Sequence, residues 1–67
     1  MRVTFVRAAN AAYLSLVPIG QGEAVRQEVS DSGIILDFDR QNRRIGIEVL
    51  GATKRLPQQV RDGAERL

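Results

Sequence analysis

Apolar and polar residues alternate with a period of two along most of the chain up to Leu50. That spacing places successive side chains on opposite faces of a strand. In "RVTFVR", Val3 and Phe5 share one face while Thr4 and Val6 share the other. In "AAYLSLV", Ala12, Leu14 and Leu16 oppose Tyr13, Ser15 and Val17. Asn10 suits the turn between these two segments, because Asn tolerates the left-handed conformation at modest cost. Pro18 lacks an N–H and so should end the second strand or lie on an open edge, and "PIGQGE" reads as a loop. Val25, Gln27 and Val29 alternate with Arg26 and Glu28, the pattern of a strand with one wet face. "SDSG" turns the chain into "IILDFD", which sends Ile34, Leu36 and Phe38 one way and Ile35, Asp37 and Asp39 the other. "RIGIEVL" sends Ile45, Ile47 and Val49 one way and Arg44, Gly46, Glu48 and Leu50 the other.

The last two segments form a hairpin whose register the pattern itself selects. A two-residue turn at Gln41-Asn42 sets Phe38 against Ile45, Leu36 against Ile47 and Ile34 against Val49. The opposite face then pairs Asp39 with Arg44, Asp37 with Gly46 and Ile35 with Glu48. A slip of one residue would turn every side chain to the wrong face. Cross-strand pairs of this kind contribute roughly 0.2–1 kcal/mol each.

After Leu50 the period changes. Leu56, Val60, Ala64 and Leu67 recur at helical spacing, and Pro57 is tolerated only in a first turn. Thr53 is a candidate N-cap. Such a short helix forms only if it docks on the sheet. The expected architecture is α+β: a five-strand antiparallel β-meander with a short C-terminal helix packed on one face. The strands span about residues 2–7, 11–17, 24–30, 33–40 and 43–50, and the helix spans about 55–66.

Sixty-seven residues make a single small domain. One core of this size rarely supplies more than about 3–5 kcal/mol without a staple. The chain has no cysteine and no histidine. Disulfides and thiolate metal sites are therefore excluded, and the commonest general base is missing. A second chain is the remaining stabiliser, so association is expected on physical grounds. Ten basic and eight acidic residues leave a net charge of only +2, a weak attraction for nucleic acid. No apolar run approaches the roughly 20 residues of a membrane span. The N-terminal stretch loosely imitates a signal peptide, but Arg7 and Asn10 interrupt it and alternation explains it better. A cytoplasmic protein with no membrane association is the expectation.

Three groups of residues are candidates for chemistry. Asp37, Asp39 and Glu48 could form an acid/base pair or an oxygen-ligand metal site. Asp37 and Asp39 lie roughly 6–7 Å apart along a strand, a separation shared by almost any two acids on a solvated sheet face. The blander account makes them that wet face, partly neutralised by Arg44. Arg43, Arg44, Lys54 and Arg55 could contact phosphates, although turns and helix ends also carry such residues for solubility. Val6, Tyr13, Val17, Ile35 and Leu50 point away from the helix side. One short helix covers only one side of a sheet, so these five form a candidate interface. The favoured reading is a non-enzymatic interaction module without cofactor, a homodimer or the partner of another small protein. Metal binding at the three acids and weak nucleic-acid binding stand as alternatives.

The stretches "AYLSL" at Ala12–Leu16, "GIILDFD" at Gly33–Asp39 and "GIEVLGAT" at Gly46–Thr53, with Met1–Phe5, resemble the DUF2283 family, a small bacterial and archaeal domain of unknown function. The resemblance extends over roughly Met1 to Leu56. It implies a small antiparallel sheet with a helix and no established activity. Some members look like partners of neighbouring toxin-like proteins, which implies an antitoxin-like role. An acid often stands where this chain has Val6 and Asn10, and Asp-Gly often stands where it has Gln41-Asn42. The loss of two acids weakens a shared carboxylate site.

Overall fold

A computed structural model describes residues 1–18 and 23–66; Ile19 to Gly22 of the expected "PIGQGE" loop, and Leu67 of the helical stripe, lie outside the described residues. The strands are β1 (Arg2–Val6), β2 (Ala11–Ser15), β3 (Arg26–Asp31), β4 (Ile34–Phe38), β5 (Arg44–Leu50) and β6 (Glu65–Arg66). They form one mixed sheet in the order β3-β4-β5-β2-β1-β6. Every pairing is antiparallel except that of β6, which runs parallel to β1. Five antiparallel strands are thus present as expected, and β6 is an addition.

The strand order is not that of a meander. β2 pairs with β5, and β3 lies at the far edge. Four strands joined by two hairpin-type turns and one long connection make a Greek key. Ten residues separate Ser15 from Arg26. Extended, they span about 33 Å, while three strand spacings need only about 14 Å. Pairing with β5 gives β2 apolar partners on both sides of the helix face: Ala12 meets Val49 and Phe5, and Leu14 meets Ile47 and Val3. β3 offers Arg26 and Glu28 at the equivalent places.

The β4–β5 register follows the expected pairs from Ile34–Val49 to Asp37–Gly46, then shifts by one residue. Phe38 faces Arg44 instead of Ile45, and the expected Asp39–Arg44 pair does not form. The turn is longer than two residues. Asn42 takes the left-handed conformation (φ 62°), as its side chain favours, and the Asp39 N–H donates to the Arg43 carbonyl. An added residue of this kind is a bulge beside a three-residue loop. It turns Arg44 onto the Phe38 ring, 5.4 Å from its centroid, while Arg26 stacks there at 4.1 Å.

The single helix expected over 55–66 is instead two short ones, α1 (Ala52–Arg55) and α2 (Gln58–Asp62). Leu56 is extended (φ −116°, ψ 141°) between them, because a residue preceding proline is pushed out of the helical region. Thr53 is not the N-cap. Helix α1 starts from Gly51, whose φ of 66° a side chain would strain. The cap comes from Asn10, which is left-handed (φ 49°) at the end of a 3-10 turn, Arg7–Ala9. Its carbonyl accepts from the Ala52 N–H (3.0 Å), and its side-chain oxygen accepts from the Thr53 N–H (3.1 Å).

The helices fold back over the β1–β2 end of the sheet. Phe5, Ala12, Ala52 and Ala64 form the buried cluster there, with Val3 and Leu56 packed against it. Leu14, Ile34, Leu36 and Ile47, on the same sheet face, remain half-buried. Such short helices cannot reach the other end. For the same reason β3 is exposed on both faces, not one; Val29 retains 70% of its surface.

Candidate functional site

Strand registers assemble the opposite sheet face row by row. Tyr13 pairs with Glu48 and Thr4, and Glu48 pairs with Ile35. One row along, Ser15 pairs with Gly46, and Gly46 with Asp37, which pairs with Gln27. Gly46 leaves its place in this row empty. The Tyr13 side chain lies across it, so close that a Cβ at Gly46 would sit 1.7 Å from the Tyr13 hydroxyl oxygen.

That path ends on Asp37. The Tyr13 hydroxyl donates to its Oδ2 at 2.8 Å, and Gln27 Nε2 donates to its Oδ1 at 2.8 Å. Asp37 is only 6% exposed, so the expectation that it lies on a solvated face is overturned. The cause is local. A glycine between two strands lets an aromatic ring fold over the sheet, and a buried carboxyl is retained when its oxygens are hydrogen-bonded. Burial first, then the hydrogen bond and the charge of Asp37 and the charge of Glu48, push the Tyr13 hydroxyl up to about 12.

The other two acids stand apart from this arrangement. Asp39 belongs to the hairpin turn. Its Oδ1 accepts from the N–H groups of Gln41 and Arg43, both at 2.9 Å, and its Oδ2 accepts from Arg43 Nε at 2.9 Å. The Arg43 backbone N–H, followed by its guanidinium and the Gln41 N–H, holds the Asp39 carboxyl below its ordinary value. Glu48 is half-buried beside Tyr13. Among the described residues no three acidic side chains are placed to hold a metal ion.

The four basic candidates are divided between the ends of β5. Arg43 and Arg44 sit at its start, and Lys54 and Arg55 follow its end on α1. Seven residues of strand keep the pairs roughly 20 Å apart. Arg43 is tied to Asp39, Arg44 to the Phe38 ring, and the Arg55 guanidinium lies against Gly33. They form no single patch.

The apolar candidates divide differently. Val6, Ala11 and Leu50 are cross-strand partners in one row, and Val6 and Leu50 keep 37% and 40% of their surface. Ile35, half-buried, pairs with the exposed Val29 of β3. Tyr13 lies between these groups and is committed to Asp37. Val17 falls beyond β2, half-buried, its carbonyl accepting from Ser15 Oγ at 2.6 Å. A groove of about 330 Å³ opens on this face beside Val6, Ala9, Ala11 and Tyr13.

Gln27 and Gly46 are the participants that sequence reasoning missed. Gly46 carried a signal, since a glycine inside a strand often marks the close approach of another group. Gln27 carried none, because its partner depends on which strand flanks β4. No helix among the described residues is long and apolar enough to cross a membrane, which says nothing about a β-barrel.

Tyr13, Gly33, Asp37 and Gly46 all fall within the stretch, residues 2–52, matched by a family profile described as a protein of unknown function. No curated protein and no solved structure matches the chain significantly. The match covers β1 to β5 and the turn that starts α1, and leaves α2 and β6 outside it. On that match the chain belongs to the DUF2283 family.

Proposed function

We propose that this domain is a non-enzymatic interaction module that pairs with a second copy of itself through the sheet face opposite the helices. The observation that carries the reading is the exposure of Val6 and Leu50 in one cross-strand row with Ala11, uncovered by any part of the described chain. Ile35 and Val29 extend the apolar surface toward the β3 edge.

Size supports the same reading. The chain exposes 4707 Å², against about 4,200 Å² for a typical monomer of its 7.4 kDa. It is a slab of 33 × 25 × 18 Å, and its broad face matches the roughly 800 Å² each partner contributes to a standard interface. Two copies related by a two-fold axis would stack their sheets about 10 Å apart, as in a sandwich. Tyr13 and Gln27 satisfy Asp37 within the chain, whereas the Glu48 carboxylate, between Tyr13 and Ile35 in the same face, has no hydrogen-bond partner among the described residues and would need one from the second copy. An acid/base function for Asp37 fits poorly, because both of its oxygens are committed.

The test is the mass in solution by light scattering. The wild type is expected to be a dimer at micromolar concentration. Leu50→Asp and Ile35→Asp are expected to be monomers with unchanged circular dichroism. A monomeric wild type removes the self-association. A stable complex with a different small protein, lost in Leu50→Asp, would keep the face and change the partner.

A further inference from the structure

On the helix side, at the β1–β6 edge, lies a cavity of about 430 Å³ lined by Phe5, Arg7, Asn10, Thr53, Arg61, Asp62 and Arg66. It joins the family-matched part of the chain to the C-terminal segment beyond it. Its lining holds three of the ten cations and one of the eight anions. The whole side-chain surplus of +2 is therefore concentrated here, and the remaining charges balance.

Ion pairs elsewhere occupy Arg2, Arg26, Arg40 and Arg43. Among the described residues, Arg7, Arg61 and Arg66 are in no ion pair. Two of them are nevertheless held in place. Arg61 Nε donates to the Leu56 carbonyl at 3.4 Å, leaving its terminal nitrogens uncommitted among the described residues. The Arg66 guanidinium lies 5.4 Å from the centroid of the Phe5 ring, which is itself buried. Thr53 Oγ1 accepts from Asn10 Nδ2 at 3.0 Å, so its own hydroxyl proton remains free to donate. The cavity lining thus gathers three cations and a free hydroxyl donor beside the buried Phe5 ring.

We propose that this cavity binds a small phosphate monoester. A carboxylate has two oxygens and one charge, and a single guanidinium fork satisfies it. Three guanidiniums from three separate elements, with a net charge of +2, match a group of about −1.5 to −2 charge and three acceptor oxygens. The volume falls within the 300–1,000 Å³ range common for ligand sites, which leaves room for a small organic body beside the phosphate. Asp62 provides the one acceptor for a hydroxyl or amine of that body. The inference does not depend on self-association, which uses the opposite face of the sheet.

The test is a titration of the full chain at low salt, followed by calorimetry and amide chemical shifts, with inorganic phosphate, adenosine monophosphate and adenosine as probes. Saturable binding is expected for the first two and none for adenosine, with shifts centred on Arg7, Thr53, Arg61 and Arg66. Arg7→Gln and Arg66→Gln should each weaken binding about tenfold or more, the usual effect of losing one charge-assisted contact. Arg43→Gln removes a distant cation and should change nothing. Absence of saturation into the millimolar range overturns the proposal. So does an equal loss in Arg43→Gln, which would mean diffuse attraction. Binding of single-stranded RNA that adenosine monophosphate fails to compete would assign the surface to nucleic acid and overturn it as well.

Discussion

The Tyr13 hydroxyl reaches diagonally over Gly46 and donates to the buried Asp37 at 2.8 Å, tying β2 to β4 across the strand between them. Backbone pairing joins only neighbouring strands. This bond adds a link between non-neighbours, with Gln27 of the edge strand joined to the same carboxyl.

Removing the hydroxyl alone should therefore be costly. Tyr13→Phe keeps the ring over Gly46 but leaves a buried carboxyl oxygen without its donor, a loss of about 1–3 kcal/mol. Urea denaturation should show a lower midpoint with an unchanged slope. A midpoint equal to wild type would mean that water replaces the hydroxyl and that the link is not structural.

Gly46→Ala should destabilise the fold by about 1–3 kcal/mol, as overpacking does. The three atoms nearest the new methyl all belong to the Tyr13 side chain. In a Tyr13→Ala background the same change should cost little, giving a coupling of about 0.5–3 kcal/mol in a double-mutant cycle. Additive costs would place the requirement for glycine in the backbone instead.

The pH dependence follows from the same contact. The folded-state value of Tyr13 is about 12 against an ordinary 10.0. A raised value means that the neutral hydroxyl is favoured by folding. The stability it contributes is complete below pH 10 and is lost as the pH rises from there through about 12. Tyr13 is the only tyrosine, so tyrosinate absorbance reads it directly. Native protein should titrate near the higher value and urea-unfolded protein near the lower, and Asp37→Asn should lower the native midpoint.

Asn10 supplies both a left-handed turn and a cap to a helix 43 positions away in sequence. Asn10→Ala loses the cap, about 0.5–2 kcal/mol, and strains the backbone by roughly another 1–2 kcal/mol. Asn10→Gly removes only the side-chain bonds and should cost less. If glycine and alanine proved equally damaging in thermal unfolding, conformational strain would have no part in the effect.

Strand β6 is bound by packing more than by charge. The Arg2–Glu65 pair is exposed, and Arg2→Ala should change stability by less than about 1 kcal/mol. Ala64 is buried against Phe5, Ala12 and Ala52. Ala64→Asp would place a carboxyl there and should cost more than about 3 kcal/mol, or release the C-terminal segment, visible as loss of amide protection at Glu65 and Arg66. An Arg2→Ala effect larger than that of Ala64→Asp would reverse the assignment.

Sequence alone determined which residues share a face. Alternation is a property of one strand, and it placed Val3, Phe5, Ala12, Leu14, Leu36 and Ile47 together and Tyr13, Asp37 and Glu48 opposite them. It also set most of the β4–β5 register, since only one register puts every apolar residue on one side. The left-handed Asn10 and Asn42 were legible from residue type for the same local reason. Only the tertiary structure decided which strands are neighbours, because the energy separating β5 from β3 as the partner of β2 lies in contacts between distant segments. The burial of Asp37 is a consequence of that choice: with β2 beside β5, Tyr13 comes within reach across Gly46. The break at Leu56, the return of Glu65–Arg66 to β1 and the convergence of Arg7, Arg61 and Arg66 likewise depend on where the helices dock. Docking balances packing over the whole sheet, and no period in the chain records it.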